Sequence, residues 1–462
     1  MLDKIFFVSL ILLGSGVFRF VAPYLGISIG LVTAALMGLN CLYLAARVQY
    51  LREIVLRGAM GRWLLLLFVW PIATMVYAPV LDLRAAGLHF YFATLFASTV
   101  VYIRVNGLKP MYSALTICLV ITAIGMPLSV KAPHLFEAAA SLADARTEQL
   151  GRPIGFFLQP NRLAFCLCWL FIAWYALHPR KTAVKEVAAV LGFMGLVLAT
   201  GSRGGVLVAA GVVAILLAYN WRERLLRGRL VMTGALLLLG LLAGVQGLRM
   251  YLDSLSTAPQ RKHGDLIQRM ESIISLQFSP EGSLEEDTSL EHRVSIQADY
   301  LAFIFETPFL GRGLGANTYY LETGRLWLSA HSESLTRALE FGIFYPIVFW
   351  LAAASLYMKR GRRRVERALG TNAVTQFAAA FAVIFAYASV LEEGRVFCIV
   401  LAIFYALVQY PEHLFARDED TGQLGRLLSR REIRAQLTRR RPARAPEPPA
   451  REDDAAADGS PA

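Results

Sequence analysis

Charge is scarce in this chain, and its scarcity is concentrated in long stretches. Only 17% of the 462 residues are charged against 56% hydrophobic, and the mean hydropathy is +0.50. A soluble domain of this length has no use for so many uncharged apolar runs, so a soluble fold is excluded. Cysteine is sparse as well. All five (Cys41, Cys118, Cys166, Cys168 and Cys398) lie inside apolar runs, which leaves no disulfide framework, and Cys166-x-Cys168 is not a metal spacing. They read as small buried hydrophobes. The net charge of +12 invites a nucleic-acid reading, but basic and acidic residues balance after Pro411 and the surplus sits in short loops. No nucleic-acid partner is expected. The first apolar run, 5–21, lacks a small-x-small cleavage site and reads as a retained helix.

What is present is a succession of apolar runs. A helix needs about 20 apolar residues to cross the hydrocarbon. Twelve stretches approach this: 5–21, 26–46, 63–80, 87–103, 111–130, 156–177, 186–200, 204–219, 230–248, 333–358, 373–391 and 396–410. Pro71 is expected to kink the third. The sequence thus predicts an all-α polytopic membrane protein over residues 1–411 and a tail over 412–462. Its end, "RRRPARAPEPPAREDDAAADGSPA", has the Pro, Ala and charge content of a disordered segment.

Orientation follows from the Lys/Arg bias of short loops. With a cytoplasmic N-terminus, the inside loops hold Arg47, Arg52, Arg57 and Arg62; Arg104 and Lys109; Arg180, Lys181 and Lys185; Arg222, Arg224, Arg227 and Arg229; and the cluster from Lys359 to Arg367. The outside connections hold few cations. Both termini are therefore expected in the cytoplasm. Residues 131–153 read as a short amphipathic helix at the outer interface. Residues 249–330 form one large outer loop, in which "SIQADYLAFIFETPFLG" is apolar enough to pack back on the membrane domain.

Several polar residues stand where this topology would not have put them. In "ATGSRGGV" an outside turn carries Arg203 between glycines, where successive N–H groups and a guanidinium can form an anion-binding nest; a snorkelling arginine is the alternative. Arg293 opens an amphipathic stretch of the large loop, and a Gly-rich turn, 311–320, follows. "GRPIGFFLQPNRLAF" brings Arg152 and Asn161 to the start of the sixth run. In "AHSESLTRALEFGIF", His331, Ser332 and Glu333 gather where a helix is about to enter hydrocarbon. Polar groups are costly there unless they meet water, one another or a ligand. A neutral imidazole near pH 7 can take a proton from a hydroxyl nucleophile, while a helix-capping histidine is the plainer reading.

In order and spacing, "GRPIGFFLQPN", "TGSRGG", "PFLGRGLG" and "AHSESLTRALEFGIF" resemble the bacterial O-antigen ligase and O-antigen polymerase family over roughly residues 150–345. One departure is His331-Ser332, where that family usually has His-Asn. The resemblance implies a GT-C-like architecture of about twelve spans in the bacterial inner membrane, with the active site facing the periplasm. It implies transfer of a glycan from a polyprenyl diphosphate carrier to an acceptor hydroxyl, either of the lipid A core (ligase) or of another lipid-linked repeat (polymerase). The reaction would be inverting and metal-independent, with no cofactor. His331 would be the base with Glu333 beside it, Arg203 and Arg293 would hold the diphosphate, and Arg152, Asn161 and Ser332 would contact substrate. Metal-dependent sugar transfer often uses two acids one residue apart, and here that spacing occurs at Asp418–Asp420, in the inside tail. A flippase or other transporter is the competing class. Transporters place broken helices and charges near mid-membrane in repeated halves, whereas these polar residues cluster at one face.

Overall fold

The computed structural model describes residues 1–142 apart from 59, 65, 67 and 68, and then 153–177, 183–225, 288–326, 332–349, 351, 366, 373–387, 394–417, 424–428, 431–433 and 435. The first apolar run is not one straight helix. Helix α1 (Leu2–Ser15) ends at Gly16, whose φ of +74° suits glycine, and α2 (Val17–Tyr24) leaves at 94° to it. Ser28 accepts the Leu31 N–H at 3.2 Å and starts α3 (Ile29–Ala45), which turns through 87° into α4 (Val48–Arg57). The third run holds α5 (Met60–Leu64) and α6 (Trp70–Thr74). Pro71 stands in the first turn of α6, where its missing N–H costs no hydrogen bond.

Two long helices follow. Asp82 caps α7 (Leu83–Asn106) by accepting the Ala85 N–H at 2.8 Å, and Gly107, at φ +83°, separates it from α8 (Leu108–Lys131). Within the stretch 131–153 lies α9 (Pro133–Leu142), with Phe136 packed on Phe20 and Phe156. Then come α10 (Pro160–Leu177), α11 (Ala183–Ala199) and α12 (Arg203–Leu225). From the loop and beyond come α13 (Thr288–Glu306), α14 (Ala316–Glu322), α15 (Glu333–Phe341), α16 (Ala373–Tyr387) and α17 (Gly394–Gln409). The nearly all-buried α7, α10 and α17 form the core. They are apolar on every side because other helices enclose them.

Among the described residues three helices, α7, α8 and α10, are long and apolar enough to cross a membrane, or up to five if each bent pair counts as one span. The expected count of about twelve is not reached among these residues; the run 230–248 lies outside them. The expected span 333–358 is broken too. Helix α15 stops at Gly342 (φ +83°), where a Cβ would overlap the Phe309 carbonyl, and the Ile343 N–H donates to Pro308 O at 2.8 Å. Hydropathy sums across such a break and misses it.

The start of the expected tail carries secondary structure among the described residues. After α18 (Pro411–Leu414), β1 (Phe415–Arg417) pairs antiparallel with β2 (Leu424–Leu427), and the Leu428 N–H donates to Leu414 O at 2.8 Å. Buried Leu414, Leu428 and Ile433 supply the apolar contacts that a disordered segment lacks, with Ile433 against Gly107. Residues 436–462 lie outside the described residues.

Groups that the loop charges assign to one side meet at one end of the helix set. Asp3 accepts from the Tyr43 hydroxyl (3.0 Å) and Arg47 (3.3 Å); Tyr102 packs beside them; Arg104 donates to Glu53 (3.2 Å) and lies over the Tyr410 ring. At the opposite end, Arg395 donates to Thr33 (2.9 Å) and stacks 4.7 Å from the Phe18 ring, near Tyr91.

Candidate active site

The four sequence motifs lie at the Arg395 end. In "GRPIGFFLQPN" the N–H groups of Ile154 and Gly155 donate to the Ser129 hydroxyl at the close of α8 (3.2 and 3.3 Å), and Phe157 packs on Gly16 at the α1–α2 corner. Leu158 takes a left-handed conformation (φ +58°) just before α10, which places Asn161 in that helix's first turn.

The "TGSRGG" turn is a helix start. Gly201 has φ +62°, and the Ser202 hydroxyl accepts the Gly205 N–H at 3.1 Å, so α12 opens at Arg203. Gly205 lies so close to Ala164 of α10 that a Cβ would overlap it. Small residues therefore let the first turns of α10 and α12 approach, bringing the backbones at Asn161 and Arg203 to neighbouring helix starts. Helix N-termini carry unpaired N–H groups and favour anions.

"PFLGRGLG" and "AHSESLTRALEFGIF" form one unit. The Arg312 and Gly313 N–H groups donate to Leu339 O and Glu340 O, both at 2.8 Å, so the turn satisfies carbonyls at the C-terminal end of α15. The turn also docks on the α6–α7 connection: the Leu314 N–H donates to the Thr74 hydroxyl at 3.1 Å, and Gly313 (φ +91°) lies against Ala78. Glycine is required by both the dihedral and the proximity. On the other face of α15, Ala338 and Leu339 join Ile296, Tyr300 and Ile304 of α13 in one apolar cluster. Arg293 is a helical residue of α13, about 20 Å back from the helix end that abuts this turn. Ser332 is the residue preceding α15 and makes no side-chain cap, although Thr336 donates to its carbonyl; Glu333 is the first helical residue. His331 and Arg152 lie outside the described residues.

The structure adds a group that the sequence reading passed over. Arg337 and Glu340, one turn apart on α15, are buried with His89 of α7. Arg337 Nη1 lies 2.8 Å from Glu340 Oε2 and 3.0 Å from His89 Nε2, and Glu340 Oε1 accepts the Gly315 N–H at 3.2 Å. The rings of His89 and Phe341 meet edge to face, with the Arg337 guanidinium over Phe341. A guanidinium only donates, so Nε2 accepts and this imidazole carries its proton on Nδ1. Arg337 and Glu340 stood inside an expected span, and the sequence reading did not single them out. Nothing in sequence singled out His89. Among the described residues, no group of three His, Cys, Asp or Glu is placed to hold a metal ion.

No curated protein matches the chain. A family model described as O-antigen ligase matches residues 187–350. Over that stretch, which holds Arg203, Arg293, His331 and the buried Arg337–Glu340 pair, the chain carries the sequence signature of the O-antigen ligase family.

Proposed function

We propose that this protein is a membrane glycosyltransferase that moves a glycan from a polyprenyl diphosphate carrier to an acceptor hydroxyl on the periplasmic side of the bacterial inner membrane. The observation that carries the reading is the O-antigen ligase match over residues 187–350, which contains the two arginines and the histidine that the chemistry needs. The acceptor is either the lipid A core or a second lipid-linked repeat. The fold would be GT-C-like, and the basic inside loops support cytoplasmic termini.

The chemistry follows from the donor. His331 takes the proton of the acceptor hydroxyl as that oxygen attacks the anomeric carbon. The bond from the anomeric carbon to the diphosphate oxygen breaks, and the carrier leaves as its diphosphate with inversion at the sugar. A diphosphate leaving group needs positive charge rather than a proton, and arginine offers paired donors to its oxygens. Arg203 and Arg293 supply that charge, stabilising the negative charge as it develops. The neighbouring starts of α10 and α12 favour the same anion and bring Asn161 beside it. Glu333 orients His331, and the Ser332 hydroxyl, unused in capping its helix, is available to the acceptor sugar together with Arg152.

The test is reconstitution. Purified protein in detergent receives a polyprenyl diphosphate glycan with lipid A core or lipid-linked repeats as acceptor, and a new glycosidic product is sought. Product with one acceptor alone separates ligase from polymerase. Wild-type turnover by His331→Ala would remove the base assignment. Turnover lost in EDTA and restored by a divalent ion would contradict the arginine-based leaving-group scheme.

A further inference from the structure

We propose that His89, Arg337 and Glu340 are positioning residues that fix the rotation of α15 about its own axis, and so the direction in which the residues at its head face the substrate. The proposal rests on the transferase reading of the site and names a part of it that the sequence motifs do not.

Three observations carry it. First, the cluster is sealed: His89, Arg337 and Glu340 are 6, 6 and 5% exposed. Buried ions are a poor route to stability, since apolar residues of equal size often do as well or better; fixing a register is their best-attested use. Second, it joins separate elements at one point. Arg337 Nη1 reaches both His89 on α7 and Glu340 on its own helix, and Glu340 reaches the Gly315 N–H in the glycine-rich turn. Third, α15 has apolar contacts on its α13 face, where Ala338 and Leu339 pack. Apolar packing tolerates small rotations, whereas hydrogen bonds to a ring nitrogen and a backbone N–H do not. Each residue along a helix turns by about 100°, so a modest rotation at Arg337 sweeps the segment carrying Ser332 and Glu333 sideways. Misplacement of about 1 Å can cost about 100-fold in rate.

The test uses full-length protein in detergent. Arg337→Met combined with Glu340→Gln removes both charges together and keeps an oxygen for the Gly315 N–H. His89→Leu removes the acceptor on α7, and His89→Gln restores an acceptor at the place of Nε2. The expected result is a melting temperature near wild type for the double variant with kcat lowered about 100-fold and donor KM little changed. His89→Leu falls likewise and His89→Gln recovers. Wild-type kcat in a folded double variant, or equal activity of the Leu and Gln variants at position 89, overturns the proposal. Amide hydrogen exchange supplies a readout independent of turnover. Residues 332–341 are expected to exchange faster in His89→Leu while 160–177 are unchanged, and an unchanged 332–341 overturns the proposal even if wild type transfers no glycan. Absence of wild-type turnover with altered exchange would instead remove the transferase reading alone.

Discussion

Two buried arginines, one at each end of the helix set, are built from similar parts. Arg104 pairs with Glu53 at 3.2 Å and lies 5.5 Å from the Tyr410 ring; Arg337 pairs with Glu340 at 2.8 Å and lies 5.2 Å from the Phe341 ring. They differ in the carboxylate. The Glu53 side chain is 38% exposed and that of Glu340 is 7% exposed. Water can replace Glu53, so the first pair anchors a helix end where the chain meets solvent. Glu340 is closed off from solvent, so the second pair is held in one geometry. The same chemistry thus serves attachment at one end and alignment at the other.

That contrast can be broken in graded steps. The largest effect belongs to the Arg337 end: His331→Ala is expected to lower turnover by about 10³-fold, and Arg203→Ala by about 10²-fold or more, both read as product formed per folded molecule. Loss of similar size on mutating Arg104, with the fold intact, would erase the distinction between the ends.

Next come the glycines. Gly342→Ala meets both a left-handed φ and the Phe309 carbonyl, whereas Gly26→Ala, at φ +67°, meets nothing within 4 Å. The open site is expected to lose about 1 kcal/mol. The crowded one should lose several times that, seen as a larger drop in melting temperature. Equal drops would mean that α15 is not held by the turn at 308–315.

The carboxylates sharpen the comparison further. Glu340→Ala removes the carboxylate beside a buried guanidinium and is expected to cost about 3–5 kcal/mol. Glu53→Ala is the smallest effect, about 1 kcal/mol or less and reduced further by salt. Chemical or thermal melts in detergent at two ionic strengths read both. A salt-sensitive Glu340 variant would place that pair in water.

Much of this division was legible in the sequence, but unevenly. The runs 87–103 and 111–130 reappear as α7 and α8, extended by a few residues, because they are apolar throughout and end at Asp82, Gly107 and Lys131. The bends at Gly16 and Gly342 were not legible, since an averaged hydropathy is the same whether the chain runs straight or turns. The ordered stretch around Leu414, Leu428 and Ile433 was hidden by the Arg- and Pro-rich residues after it. The motif around Arg203 reads as a turn in sequence, whereas that residue opens α12. The motifs missed His89, because a contact between α7 and α15 spans 248 positions and leaves no local pattern.

The lock between Pro308 and Ile343 has a mechanical consequence. Because the ends of α13 and α15 share one glycine-lined knot, a push on either helix from that side is transmitted to both. The same unit is also held to α6 and α7, by Leu314 on Thr74 and by Arg337 on His89, so strain at that knot reaches the outer end of α7 as well.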